Sequence, residues 1–323
     1  MCENLLSVSN LKKWFPVRQM GKEKAHVKAV NGVTLDIRRG ETLGIVGESG
    51  CGKTTLGRAM IRLTHPTEGS VLFEGRDITG LNEKELRPLR KDMQIIFQDP
   101  YSSLNPRMTV GDIISEPYVF QKLYTKAERM ERTTELMRVC GLDPIYIRRY
   151  PHEFSGGQRQ RIGIARAIAL NPKFVLCDEP VSALDVSIQS QIINLLMDLQ
   201  RQMGATYVFI SHNLNVVHHM SDRIAVMYLG NVVELAAKSE LYRHTAHPYT
   251  QALLEAIPQI VFTESAALKS SVSGDPPSPV NPPSGCVFHT RCKRARPACA
   301  EEVPELRDLG GEHFVACHLV GER

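Results

Sequence analysis

Gly47-Glu48-Ser49-Gly50-Cys51-Gly52-Lys53-Thr54-Thr55 fits the pattern G-x-x-x-x-G-K-[ST]. It lies between a short apolar run and a stretch of helical character, which is the context the pattern requires. Its chemistry is anion binding. Glycines let backbone N–H groups curl around phosphate oxygens, and the start of the following helix adds a partial positive charge. Lys53 is expected to reach the β- and γ-phosphates, and the Thr54 hydroxyl to ligate Mg²⁺. Cys51 occupies a variable position and reads as a spacer. Downstream, Phe174-Val175-Leu176-Cys177 runs into Asp178 and Glu179. A lone Asp-Glu at a strand end is usually solvated surface, but beside a phosphate loop the pair fits another role. Asp178 is expected to hold Mg²⁺, directly or through water. Glu179 is expected to polarise the water that attacks the γ-phosphate. Together these residues read as a nucleoside triphosphate hydrolase.

Two further clusters carry chemistry. In Phe154-Ser155-Gly156-Gly157-Gln158-Arg159-Gln160-Arg161, Ser155 and Gln158 form a capping box for a helix expected to run to Leu170. A capped, glycine-rich helix start is also a phosphate cradle, and the residues alone leave both readings open. The eight cysteines are unevenly placed: Cys2, Cys51, Cys140 and Cys177 are scattered, whereas Cys286, Cys292, Cys299 and Cys317 follow a C-x₅-C-x₆-C-x₁₇-C pattern. In a reducing compartment such a group suggests metal binding sooner than disulfides. Zinc sites usually show a close C-x₂₋₄-C pair, which is missing here. Four thiolates also suit a [4Fe–4S] cluster, whose negative charge Arg291, Lys293, Arg294 and Arg296 would offset. Zinc, with His289, His313 or His318 substituting as ligands, and a disulfide or free-thiol state remain alternatives.

The elements that must position these residues are legible in outline. Val33–Ile37 alternates as a half-buried strand does, and Thr42–Val46 reads as a strand buried on both faces. Val71–Phe73 and Met93–Phe97 are further strands. From about 105 to 150 helical spacing dominates, with Gly141 as a C-cap. Strand texture returns at Phe174–Cys177. Ile188, Ile192, Leu195, Leu199 and Met203 then share one helix face, closed by Gly204. Thr206–Ile210 is a strand, so strand, helix and strand imply a right-handed parallel crossover and an α/β class. Arg223–Glu234 reads as two short strands meeting at Gly230-Asn231. Residues 270–285 hold five prolines and are expected to form a linker or extended arm.

Composition bounds the rest. The 323 residues suggest about two structural units. With 42% hydrophobic and 23% charged residues, a wholly disordered chain is excluded. No apolar run approaches the ~18–20 residues of a membrane-spanning helix, and no signal peptide is evident, so the reading is intracellular. A net charge of +4 is too slight to argue for nucleic acid.

These motifs resemble the ATP-binding subunit of an ATP-binding-cassette (ABC) transporter. Ser155-Gly156-Gly157-Gln158 matches the signature motif, with Phe154 where Leu is commoner. Gln98 matches the glutamine loop, Ser182-Ala183-Leu184-Asp185 the loop that crosses to the partner subunit, and His212 the switch histidine. Phe15 sits where the family stacks an aromatic on adenine, with Trp14 the alternative. Gln98-Asp99-Pro100-Tyr101-Ser102-Ser103-Leu104-Asn105-Pro106, His247-Pro248-Tyr249-Thr250-Gln251-Ala252-Leu253-Leu254 and the cysteine tail are similar to the dipeptide and oligopeptide importer branch. Within it, the second of the two ATPase subunits is the nearer match.

The resemblance implies a mostly parallel core sheet, an antiparallel β subdomain, a helical subdomain inserted at about 103–157 within a 1–240 nucleotide-binding domain, and a cysteine-bearing extension over 241–323. It implies ATP and Mg²⁺ held by the Gly47–Thr55 loop, Gln98 and Asp178, with Glu179, Gln98 and His212 in catalysis. It also implies a head-to-tail dimer, in which Ser155–Gln158 and Asp185 act on the other subunit's nucleotide, and it adds weight to a [4Fe–4S] cluster on the four tail cysteines. The expected partners are two transmembrane permease subunits contacted by Tyr101–Met108, a second similar ATPase or a copy of this chain, and, indirectly, a peptide-binding protein, at the cytoplasmic face of a bacterial inner membrane. A related subunit serving another solute such as nickel, or a cassette ATPase outside transport, are the rival readings.

Overall fold

A computed structural model describes residues 3–17, 25–256 and 274–320. Cys2 and residues 270–273 of the proline-rich stretch lie outside them. The first half carries β1 (Asn4–Val17), β2 (Ala25–Arg38), β3 (Thr42–Val46), α1 (Lys53–Met60), β4 (Glu68–Phe73), β5 (Arg76–Asp77), α2 (Glu83–Leu86), β6 (Met93–Ile96) and α3 (Pro100–Ser103). Then come α4 (Val110–Phe120), α5 (Lys126–Val139), α6 (Gly156–Ile168), β7 (Phe174–Asp178), α7 (Val186–Met203), β8 (Thr206–Ile210) and α8 (Leu214–Met220). The remainder is β9 (Arg223–Tyr228), β10 (Asn231–Ala237), α9 (Lys238–Arg243), α10 (Pro248–Glu255), α11 (Pro297–Glu301), β11 (Arg307–Asp308) and β12 (Phe314–Val315).

Two sheets result. An antiparallel sheet has the order β2-β1-β4-β5, and a larger one the order β11-β12-β10-β9-β3-β8-β7-β6. From β9 to β6 the larger sheet is parallel, and β10, β12 and β11 add antiparallel strands. β3, β7 and β8 are buried along their whole length because both sheet faces are covered. Their side chains alternate between two cores. Val175, Cys177, Tyr207 and Phe209 face the core shared with α4, α6 and α7, while Leu176, Val208 and Ile210 face the core shared with α1, β1 and β2. That period of two is the pleat of the strand.

The expected helical stretch between 105 and 150 is α4 and α5, with Gly141 following α5's C-cap Cys140 at a φ of 70°. The expected helix after Ser155 ends at Ile168, two residues short of Leu170. Residues 274–285 form neither helix nor strand, and the carbonyl of Pro279 accepts the N–H of Lys28 at 3.2 Å. The tail joins the larger sheet through β12, whose Phe314 and Val315 pair with Leu235 and Glu234 of β10.

Candidate active site

Four neighbouring parallel strands end at one edge. β3 runs into the Gly47–Gly52 loop, β6 towards Gln98, β7 into Glu179 and β8 towards His212. The pairings Ile45–Ile210, Asp178–Ile210 and Ile96–Cys177 bring these ends level. Ligand crevices of open α/β sheets form at this carboxyl edge. Here the crevice is a cavity of about 630 Å³, lined by Ser49, Gly50, Gly52, Lys53, Thr54, Thr55, Gln98, Glu179, Ser182 and His212, with Ala29 and Ala183 at its walls.

The loop has the geometry its glycines allow. Gly52 has a φ of 105°, and a Cβ there would lie 1.9 Å from the Ala29 carbonyl oxygen. Only glycine both adopts this backbone and lets β2 approach so closely. Lys53 is buried, and its ammonium donates to the loop's own carbonyls, Gly47 at 2.8 Å and Glu48 at 3.0 Å. A phosphate group is a stronger acceptor for that charge than either carbonyl. The Thr54 hydroxyl donates to Asp178 Oδ1 at 2.6 Å. The two oxygen groups expected to share Mg²⁺ are therefore in contact, and their chemistry suits a hard cation. Arg58, unnoticed in the sequence, donates to Asp178 Oδ2 at 3.2 Å. Its spacing of four from Thr54 is the available signal, since both project from one face of α1.

Glu179 lies one residue beyond β7 at a φ of 48°, the left-handed region that non-glycine residues seldom adopt. Its N–H is held by the Ile210 carbonyl at 3.1 Å. Its Oε2 accepts from Gln98 Nε2 at 3.1 Å and lies 3.2 Å from His212 Nδ1. Two residues distant from it in sequence thus converge on one carboxylate oxygen of Glu179, beside Lys53 and the Thr54–Asp178 pair.

Other expected site residues lie elsewhere. Ser155 caps α6: its hydroxyl accepts the Gln158 N–H at 3.4 Å, and Gln158 Oε1 accepts the Ser155 N–H at 3.0 Å. A Cβ on Gly157 would lie 2.6 Å from Ile188 Cγ2, so this helix start packs against the start of α7. Asp185 is the N-cap residue of α7 but makes no side-chain cap. Neither Ser155–Gln158 nor Asp185 lines the cavity. Phe15 is 40% exposed, with the Lys13 ammonium 4.9 Å from its ring centre, and Trp14 lies beside the ammonium groups of Lys12 and Lys28. Both rings are outside the cavity lining. The side chain of Glu48 also stays outside and pairs with Arg291. Cys51 is buried, which raises its thiol pKa.

The tail cysteines are free thiols, three of them buried and Cys292 half-buried. Burial pushes Cys286 up to about 11 and also raises Cys292 and Cys317, and the thiols lie near enough to raise one another further. The Arg296 N–H donates to Cys299 Sγ at 3.5 Å. Among the described residues, however, no three His, Cys, Asp or Glu side chains are gathered closely enough to hold a metal ion. No metal centre on the four cysteines is thus shown among the described residues. The three histidines considered as substitute ligands are engaged elsewhere: His289 with the Cys286 carbonyl, His313 with Glu234 and His318 with the Glu302 carbonyl.

Comparison with known proteins follows the same lines. Residues 30–182 match the ABC transporter family, and residues 233–299 match the oligopeptide/dipeptide transporter C-terminal region. The oligopeptide transport ATP-binding protein AppF of Bacillus subtilis (strain 168) is 55% identical over 323 residues, covering 98% of each chain. Among solved structures, the dimeric, post-hydrolysis ATP-binding cassette MJ0796 bound to ADP and Pi is 32% identical, with a TM-score of 0.65 over 72% of this chain and 98% of that one. cbiO1 from Clostridium perfringens, part of the ABC transporter complex cbiONQ, is 27% identical, with a TM-score of 0.64 over 75% of this chain and 92% of that one. A cassette sheet ending in a phosphate loop, followed by the tail peculiar to one branch, places the chain among the ATP-binding proteins of the ABC transporter family, in its oligopeptide/dipeptide branch.

Proposed function

We propose that this chain is the energy-coupling ATPase of an importer for dipeptides or oligopeptides. The observation that carries the hydrolytic part is the convergence of Gln98 and His212 on Glu179 beside Lys53. In this reading Lys53 and the amides of the Gly47–Thr55 loop hold the triphosphate of ATP. Thr54, Asp178 and Gln98 hold Mg²⁺, which when bound stabilises charge on the phosphate oxygens. Gln98 and His212 aim the Glu179 carboxylate at the attacking water, and Glu179 takes its proton. Phe15, or Trp14 in its place, stacks on adenine.

The Ser155–Gln158 helix start and Asp185 serve a nucleotide held by a second subunit. Their place outside the cavity supports that assignment, because a group that completes another molecule's site need not line its own. ATP then closes a head-to-tail dimer with a copy of this chain or a similar ATPase, and hydrolysis reopens it. A groove of about 970 Å³, lined by Gln98, Asp99, Ser102, Ser103, Glu116 and Phe120 among others, is the seat we assign to the two permease subunits. It takes in part of the Tyr101–Met108 segment. No helix among the described residues is long and apolar enough to cross a membrane, so the spans of such an importer would come from those partners. The reading places the chain on the cytoplasmic face of a bacterial inner membrane, with a peptide-binding protein as an indirect partner. It divides the chain into a cassette over 1–240 and an extension over 241–323.

For the extension we propose that Cys286, Cys292, Cys299 and Cys317 ligate a [4Fe–4S] cluster. Four free thiols without a close C-x₂₋₄-C pair support iron–sulfur over zinc. Iron in the anaerobically prepared protein with broad absorbance near ~400 nm is expected, and stoichiometric zinc without iron overturns it. The functional reading as a whole is tested by purifying the chain from membranes. Recovery with two permease subunits is expected, and recovery only as a free protein counts against it.

A further inference from the structure

Arg291, between two of the tail cysteines, is the partner of Glu48 in the phosphate loop, 243 residues away. Its Nη1 donates to Glu48 Oε2 at 2.9 Å and its Nη2 to Oε1 at 3.1 Å, while Nη1 also reaches the Tyr228 hydroxyl at 3.2 Å. The Arg291 side chain is 8% exposed and that of Glu48 26%. Burial disfavours the guanidinium charge, yet the hydrogen bonds to Glu48 and Tyr228 more than offset it and raise its pKa. The loop is held at the same residue from a second side, because the Glu48 N–H donates to the Tyr249 hydroxyl at 3.0 Å. Tyr228, Tyr249 and Phe288 pack together beneath, with ring centres 4.7 to 5.3 Å apart.

A carboxylate in a loop that binds a triphosphate is a liability unless its charge is cancelled. Unpaired, Glu48 would repel the ligand and leave the first turn of the loop free to move. A planar, two-pronged guanidinium answers both problems, since it neutralises the carboxylate and fixes its orientation. The pair is also shielded from salt by its burial. We propose that Arg291 is a positioning residue for ATP binding: by cancelling and anchoring Glu48, the docked tail sets the affinity of the phosphate loop. The proposal rests on the reading of that loop as the ATP site.

The test uses the full-length chain and AMP-PNP with Mg²⁺, followed by calorimetry. Arg291→Gln is expected to weaken binding by about tenfold. In the assembled transporter it raises the KM for ATP by a similar factor, while kcat at saturating ATP stays within about twofold. Glu48→Gln added to Arg291→Gln recovers most of the affinity, because it removes the charge that Arg291 cancels. Arg291→Lys, which keeps a point charge without the fork, falls between. An unchanged Kd in Arg291→Gln overturns the proposal. So does failure of the double variant to recover, since general damage to the tail weakens binding in both backgrounds. If the unsubstituted chain does not bind AMP-PNP, the ATP-site reading itself fails instead.

Discussion

Glu179 is held in place by its neighbours, Gln98 and His212, and by a backbone turn of φ 48° that β8 stabilises through Ile210. Because the anchoring is external, Glu179→Gln keeps the shape of the site and removes only the proton acceptor. Steady-state ATPase activity of the assembled complex is expected to fall by about 10²–10⁴-fold, with AMP-PNP binding retained. Activity at the unsubstituted level would sink the assignment. Gly52→Ala acts on binding instead. Its Cβ would meet the Ala29 carbonyl at 1.9 Å, so the loop must leave β2 and nucleotide binding should be lost in titration. The residues legible in the sequence are those whose spacing is itself the chemistry: Lys53 and Thr54 within one loop, and Asp178 and Glu179 at one strand end. Arg58, and the pairing of Arg291 with Glu48, were not. Arg58 looks like an ordinary surface position of an amphipathic helix until Asp178 is folded beside it, and Arg291 meets Glu48 only after the chain has closed on itself.

At the scale of elements, α6 and α7 show how a signature is presented. The capping box of Ser155 and Gln158 starts α6, and Gly157 lets it sit against Ile188. Ser155→Ala should cost about 1 kcal/mol in urea unfolding of the isolated chain, from the lost cap. Gly157→Ala should cost about 1–3 kcal/mol from overpacking, and Ile188→Ala in the same chain should relieve part of it. Full additivity of the two losses would show that the contact is not shared. Elements with one clear signature were readable: β3, β7 and β8 as short apolar runs, and α7 as an amphipathic helix. β1 was not, because its pairing with β2 is interrupted by several register shifts, which break the alternation between Asn4 and Val17. α8 is seven residues long and opens on an Asn213 cap, too short to build a helical period.

Over the whole molecule, the two expected units share one sheet. Arg307–Asp308 and Phe314–Val315 continue the cassette's strands, and the Ala316 N–H donates to the Val233 carbonyl at 2.9 Å. Composition could not show this, since β11 and β12 have two residues each and no period. Val315 is 1% exposed. Val315→Asp would bury an unpaired charge there and is expected to cost about 3 kcal/mol. Limited proteolysis should then remove the tail from a cassette that remains folded, whereas equal protease resistance in both proteins would count against sheet sharing.

That arrangement also fixes an order in time. A ribosome delivers β9 and β10 together, but the far side of β10 has no neighbour until Phe314 and Val315 emerge, well after β10 itself. For that interval the nascent chain displays an open strand edge, the kind of surface that recruits strands from other molecules. Translation that stops early would therefore yield not a trimmed but serviceable motor, but a self-associating fragment that quality control must clear.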